Sequence, residues 1–244
     1  MKKSNFLNII VIAFFVLQYA KSTAQTSCKA IAKKIDQLFA HYNAHTPGVA
    51  IALIQNGKVI FKKGYGSAHL EYNVPITSKT VFHVASVSKQ FTAFAIYLLA
   101  EQGKISLDDD IRKYIPAIPD YGKTITLSQL CSHTSGLRDQ WALVTLAGWQ
   151  MDDVITTEQV LKLVSQQKKL NFSPGQQFSY SNTGFTLLAE VIARVTGKTF
   201  AEYTKENIFE PLGMTNTQFC DDYEKIVYPL TKQGLAFVFA LISN

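Results

Sequence analysis

An almost uninterrupted apolar run, Phe91-Thr92-Ala93-Phe94-Ala95-Ile96-Tyr97-Leu98-Leu99-Ala100, constrains this chain more than any other feature. It holds no glycine, proline or charge and is apolar nearly all round, which predicts a helix buried on every side rather than one lying on a surface. At the mouth of that helix stands Ser86-Val87-Ser88-Lys89. Lys89 follows Ser86 by three positions, so the two side chains share one helix face, with Cβ atoms about 5–6 Å apart. A hydroxyl beside an amine, at the positive end of a helix dipole, is a candidate activated nucleophile.

The chain has 244 residues, and residues 1–24 do not read as fold. Lys2 and Lys3 form a short basic region, Phe6 to Ala20 is mostly apolar with Asn8 and Gln18 as interruptions, and Ser22-Thr23-Ala24 offers small residues before Gln25. This is the pattern of a secretory signal peptide, which predicts export to a periplasmic or extracellular compartment. The alternative is an uncleaved anchor, but the apolar run is short for a span of about 20 residues. Contact with a membrane is expected only through this segment or such an anchor. Cys28 lies nearby, yet Gln25-Thr26-Ser27 is a poor context for a lipid anchor.

Cleavage leaves about 220 residues, enough for one domain or one domain with a subdomain. The formal charge of +6 falls to about +3 once Lys2, Lys3 and Lys21 leave with the leader. There is no basic stripe with interleaved aromatics, which argues against a nucleic-acid partner. Cys28, Cys131 and Cys220 are few and odd in number; they give neither a disulfide framework nor metal-ligand spacing. Free thiols are the expected state, with one bridge open to an oxidising compartment.

Along the chain, Ile31, Ile35, Leu38 and Phe39 have helical spacing. Gly48 to Ile54 reads as a strand, Asn56-Gly57 as a tight hairpin turn, and Lys58 to Lys63 as the return strand. Residues from Ile105 to Ile118 read as loop with short helical turns. Thr126 to Leu130 and Thr157 to Gln167 read as helices, the second with a cap at Thr156. Ser173-Pro174-Gly175 is a turn. Asn182 is expected to cap a long helix through Val195, closed by Gly197. Phe200 to Phe209 reads as a last helix, stopped by Pro211 and Gly213. The strand content is too small for the sheet it implies, because a two-stranded hairpin is marginal alone.

Spacing alone does not single out Ser86. A second Ser-x-x-Lys, Ser165-Gln166-Gln167-Lys168, lies in a lysine- and glutamine-rich stretch and reads as a solvated face. Ser86 differs in having Phe82-His83-Val84-Ala85 before it and the apolar helix behind it. The second chemical element is Tyr180-Ser181-Asn182, which follows the Pro174-Gly175 turn and opens a helix. A tyrosine near a lysine can relay a proton between nucleophile and leaving group. An asparagine offers a donor and an acceptor to an amide. Read singly, Tyr180 can also be a packing residue and Asn182 only a cap.

In order and context these blocks resemble the serine β-lactamase-like family, which includes class C β-lactamases, DD-carboxypeptidases and related esterases. The resemblance runs from about Gly48 to Phe219. It is carried by Phe82 to Lys89, by Leu130-Cys131-Ser132-His133-Thr134-Ser135-Gly136-Leu137, by Phe172-Ser173-Pro174-Gly175 with Phe178 to Asn182, and by Phe209-Glu210-Pro211-Leu212-Gly213-Met214. It implies an α/β fold of the β-lactamase/transpeptidase type: an antiparallel sheet flanked by helices, with a helical subdomain. It implies that Ser86 attacks a carbonyl and becomes acylated, and that Lys89 helps remove its proton. Tyr180 would exchange that proton with Ser86 and the leaving group, the base being shared between the two rather than assigned to one. Asn182 would bind the substrate's amide and orient Lys89, and the Ser86 backbone N–H would supply half of an oxyanion hole. His133 and Ser135 look like a catalytic pair, but the resemblance makes their segment a structural turn. No metal or organic cofactor is implied, and the expected partner is a small-molecule or peptidoglycan-peptide substrate.

The family's third motif, Lys-Thr-Gly or His-x-Gly, lies on a late strand that also carries the second oxyanion N–H. Lys232-Gln233-Gly234, followed by the strand-like Leu235 to Ile242, imitates it, but too soon after Asn182. The expectation is therefore a C-terminally truncated member lacking the later sheet strands. Its organisation would be a signal peptide (1–24), a partial serine hydrolase domain (25–227) and a divergent apolar tail (228–244). As an exported serine hydrolase it would form an acyl-enzyme with a β-lactam, a D-alanyl peptide or a small ester. The alternatives are an inactive truncated homologue or a penicillin-binding sensor without turnover. Missing strands would also leave the hairpin with an unpaired edge.

Overall fold

The computed structural model describes residues 29–150, 153, 155–220 and 237–242. The leader at residues 1–24 and the Lys232-Gln233-Gly234 tripeptide lie outside the described residues. The chain divides into two compact units, one made of Met1–Val84 with Tyr228–Asn244 and the other of Ala85–Val227.

The first unit is a small sheet covered by a helix. Strands β1 (Val49–Gln55) and β2 (Lys58–Tyr65) run antiparallel, with Val49 opposite Tyr65 and an irregularity between Leu53 and Ile54. Asn56 and Gly57 join them with φ of 49° and 71°. Two successive positive φ values are what a type I′ hairpin turn demands, and Asn-Gly supplies them at little cost. Helix α1 (residues 29–38) lays Ile35 over this sheet, and Phe39 and Tyr42 follow it, around Val49, Ile51 and Tyr65. Gly48 is required at the start of β1, because a Cβ there would lie 1.8 Å from the Tyr65 carbonyl oxygen. A ribbon that sequence periodicity did not reveal, β3 (Ser67–His69) with β4 (Val74–Pro75), follows.

Among the described residues the hairpin keeps an edge on β2, as expected, but its other edge, on β1, is taken. Strand β5 (Phe237–Ile242) pairs with β1 in parallel, Val49 opposite Phe237 through Ile54 opposite Ile242. The sheet order is β2-β1-β5, so this sheet is mixed rather than purely antiparallel. The physical reason is that an apolar β-forming run satisfies its own backbone groups by taking the free side of β1.

The second unit is helical. A 3₁₀ turn (Ala85–Ser88) leads straight into α2 (Lys89–Glu101), followed by α3 (Leu127–Cys131), α4 (Gln140–Leu146), α5 (Thr157–Ser165), α6 (Asn182–Thr196) and α7 (Phe200–Thr204). Residues Lys205–Phe209 form a π-type turn, so the expected helix from Phe200 to Phe209 changes its winding midway. Thr126, Thr156 and Thr199 each close a capping box, with Gln129, Gln159 and Glu202. Each box satisfies two N-terminal N–H groups that a helix otherwise leaves without partners.

The core joins α2 to α6. Ile96 and Leu99 of α2 are buried with Leu187, Leu188, Val191 and Ile192 of α6, together with Leu127, Leu130, Ile208 and Phe209. Each such side chain contributes about 1.5–3 kcal/mol by leaving water. α2 is buried on one side only: Thr92, Ala95, Ile96 and Leu99 face inward, whereas Phe94 and Tyr97 are about half exposed. An apolar residue on a helix can stay at a surface, so composition overstated the extent of burial.

Candidate active site

Ser86 sits one 3₁₀ turn ahead of α2, not inside it. In a 3₁₀ turn residues i and i+3 eclipse one another, which brings Lys89 directly over Ser86. Lys89 Nζ donates to Ser86 Oγ at 3.2 Å. The turn begins at Ala85, whose φ of +47° is left-handed and uncommon for a residue with a Cβ.

The other half comes from the start of α6. The expected cap at Asn182 is corrected here: Ser181 is the cap, its Oγ accepting from the Gly184 N–H at 3.4 Å, and Asn182 is the first helical residue. The shift frees the Asn182 side chain from capping. Its Oδ1 accepts a hydrogen bond from Lys89 Nζ at 2.9 Å. Tyr180 precedes the helix, and its hydroxyl donates to Ser86 Oγ at 2.8 Å. Lys89 Nζ also lies 5.0 Å from the centre of the Tyr180 ring and 5.5 Å from that of Phe185.

Thus Ser86, Lys89, Tyr180 and Asn182 converge although the last two are more than ninety positions away in sequence. Ser86 is exposed and Tyr180 about half exposed, so the hydroxyl is open to an incoming carbonyl, while Lys89 and Asn182 are half-buried behind it. Partial burial alone would push the Tyr180 phenol up. The hydrogen bonds with Lys89 and Ser86, and the charge on Lys89, outweigh it and hold the phenol below its ordinary value. A phenol of lowered pKa hydrogen-bonded to a serine hydroxyl is arranged to exchange a proton with it.

His133 and Ser135 do not form a nucleophile–base pair; Ser135 Oγ instead accepts from the Leu137 N–H. His133 works from beneath the site. Its Nδ1 accepts from the Ser181 N–H at 3.1 Å, and its carbonyl accepts from the Ser179 N–H at 2.9 Å. Burial, with the Lys89 charge behind it, holds its pKa below the ordinary histidine value. Gly136, three residues on, has φ +76°, and a Cβ there would meet the Phe172 carbonyl oxygen at 2.2 Å. The segment 133–136 is therefore a braced turn supporting the loop that delivers Tyr180.

Sequence reading missed Asp139. It caps α4, accepting from the Trp141 N–H at 3.0 Å, and it also accepts from the backbone N–H and side-chain Nδ2 of Asn182 at 2.5 and 3.0 Å. Helix α4 went unseen as well, because Trp141-Ala142-Leu143-Val144-Thr145-Leu146 shows no 3.6-residue polar spacing. The single sequence signal was an aspartate placed as a cap.

A cavity of about 490 Å³ opens beside Lys89 and Asn182 and runs along α6 past Trp141, Phe185 and Glu190 to Phe200. Ser86 and Tyr180 lie outside its lining. Among the described residues there is no group of three or more His, Cys, Asp or Glu side chains placed to hold a metal ion. No described helix is long and apolar enough to cross a membrane.

Comparison with known proteins bears on the family and the fold. Residues 35–226 match the family described as Beta-lactamase. The chain is 35% identical over 182 residues to a D-aminopeptidase of Brucella anthropi, an alignment covering 75% of this chain and 34% of that protein. It is similar in structure to an octameric penicillin-binding protein homologue from Pyrococcus abyssi, with a TM-score of 0.63, 29% identity, and coverage of 78% of this chain and 43% of that one. It is also similar to a β-lactamase/D-alanine carboxypeptidase from Yersinia pestis, with a TM-score of 0.63, 27% identity, and coverage of 78% and 56%. The chain spans about a third of the length of the D-aminopeptidase it matches. A β-lactamase/transpeptidase-like fold and a family match along most of the sequence agree: this chain belongs to the β-lactamase family.

Proposed function

We propose that this chain is an exported serine hydrolase that works through an acyl-enzyme on Ser86, with a β-lactam, a D-alanyl peptide or a small ester as substrate. The observation that carries this reading is the convergence of Lys89 Nζ and the Tyr180 hydroxyl on Ser86 Oγ, at 3.2 and 2.8 Å. In this scheme Ser86 Oγ attacks the substrate carbonyl while its proton passes into the Tyr180–Lys89 pair. The same pair returns a proton to the leaving group. Asn182 holds Lys89 through its Oδ1 and offers polar contact to the substrate amide. The Ser86 backbone N–H stabilises the developing oxyanion. Water then releases the acyl group. Export rests on the leader pattern of residues 1–24.

The test treats the full-length protein with a fluorescent penicillin and with p-nitrophenyl acetate, beside Ser86→Ala. Covalent labelling with turnover of either compound, both lost in Ser86→Ala, is the expected result. Stable labelling without turnover would make the protein a penicillin-binding sensor instead. Absence of any Ser86-dependent signal would make it an inactive homologue. Expression with its leader in a bacterial host, with mass spectrometry of the secreted N-terminus, tests export; the expected mature protein starts at Gln25.

A further inference from the structure

We infer that Asp139 is a positioning residue for this chemistry: it fixes the Asn182 carboxamide so that the carbonyl oxygen, and not the amide nitrogen, faces Lys89. The inference rests on the serine hydrolase reading for its effect on rate, but the orientation itself is a matter of hydrogen-bond chemistry.

Three donors converge on one carboxylate. Asp139 Oδ1 accepts from the Trp141 N–H at 3.0 Å. Oδ2 accepts from the Asn182 backbone N–H at 2.5 Å and from Asn182 Nδ2 at 3.0 Å. An ionised carboxylate accepts only, an ammonium donates only, and a carboxamide has one end of each kind. Asn182 lies between the two, with Nδ2 toward Asp139 and Oδ1 2.9 Å from Lys89 Nζ. A flipped carboxamide would set donor against donor at Lys89 and acceptor against acceptor at Asp139. Asp139 therefore decides which end of Asn182 reaches Lys89, and Lys89 in turn contacts Ser86 Oγ at 3.2 Å. The preceding residue braces the same junction, since the Arg138 carbonyl accepts from Thr183 Oγ1 at 2.7 Å.

Asp139→Asn keeps the shape but cannot accept from all three donors. Its own amide would face either Trp141 or Asn182, and the Asn182 carboxamide would lose its fixed direction. For p-nitrophenyl acetate the expected result is a fall in kcat of about 10- to 100-fold, the range of one charge-assisted hydrogen bond, with KM within about threefold. The decisive comparison is the same substitution in an Asn182→Ala background. If Asp139 acts through the Asn182 carboxamide, it costs at least about fivefold less there, the backbone donors alone remaining; a loss closer than that to the one in the Asn182 background would make the role merely structural and overturn the proposal. A second readout needs no turnover and no variant. The side-chain amide protons of Asn182 should exchange slowly with water in the ¹H–¹⁵N spectrum of the wild type. Exchange at the rate of a free amide overturns the proposal, even if Asp139→Asn fails to fold. If the wild type reacts with no acyl probe, the hydrolase reading falls and the amide exchange alone decides the role of Asp139.

Discussion

The ring of Tyr180 rests against the imidazole of His133, centroids 4.5 Å apart and planes inclined by 31°, while the hydroxyl at its far end reaches Ser86. His133 Nδ1 accepts from the Ser181 N–H, so the neutral ring carries its proton on Nε2. Protonating Nδ1 would remove that acceptor from the loop that carries Tyr180. The folded state holds this histidine below 6.5, chiefly by burial. Between the folded and unfolded values the unfolded chain binds more protons, so stability rises with pH. The contribution is fully present above the unfolded value and is lost as pH falls through the folded one. Thermal melts should therefore show a declining Tm from pH 7 toward 5. His133→Asn, which accepts φ +58° and keeps an acceptor, should flatten that slope; an unchanged slope would assign it to other groups.

Tyr180→Phe separates the two ends of the same side chain. The ring still packs on His133, so the melting temperature should stay within a few degrees. The hydroxyl at 2.8 Å from Ser86 Oγ is lost. Turnover of p-nitrophenyl acetate should fall by about 10²–10⁴, the usual range for one acid–base group. Steady-state kinetics with a melt on the same sample checks both halves.

Gly136→Ala should act on stability first. The position needs φ +76°, and the new Cβ would sit 2.2 Å from a backbone oxygen that has no flexible end to move. The expected cost is about 2–5 kcal/mol, combining the left-handed penalty with a forced backbone shift. Urea unfolding of the variant beside wild type measures it, and a midpoint shift near zero would contradict the brace assigned to this turn.

Cys131 should be inert. Burial pushes its thiol up to about 11, so little thiolate exists at neutral pH. Iodoacetamide at pH 8 should leave Cys131 unmodified in the native protein and modify it in urea, as read by peptide mass spectrometry. Rapid native labelling would show that the end of α3 opens readily.

The elements readable from the sequence were those whose signal is local. Asn56-Gly57 announced the hairpin, Thr126 and Thr156 announced helix starts, and Gly197 closed α6 with φ +69°. The four side chains of the site were legible as short motifs whose order and surroundings single out one copy of Ser-x-x-Lys. What stayed hidden depends on distant partners. Asn182 was read as the cap of α6 as well as the residue that orients Lys89; the cap falls to Ser181 instead, while the carboxamide oxygen does accept from Lys89. Asp139 drew no notice because the helix it caps has no clear pattern, and only the fold brings it to Asn182. The parallel pairing of β5 with β1 spans almost the whole chain, beyond the reach of any local pattern.

The left-handed twist at Ala85 has a meaning for anyone who would move this cluster of side chains elsewhere. Because the bend comes from the main chain, the aim of the serine is built into the peptide path rather than chosen by its rotamer. Grafting only the side chains onto a regular helix would supply the right chemistry pointing the wrong way.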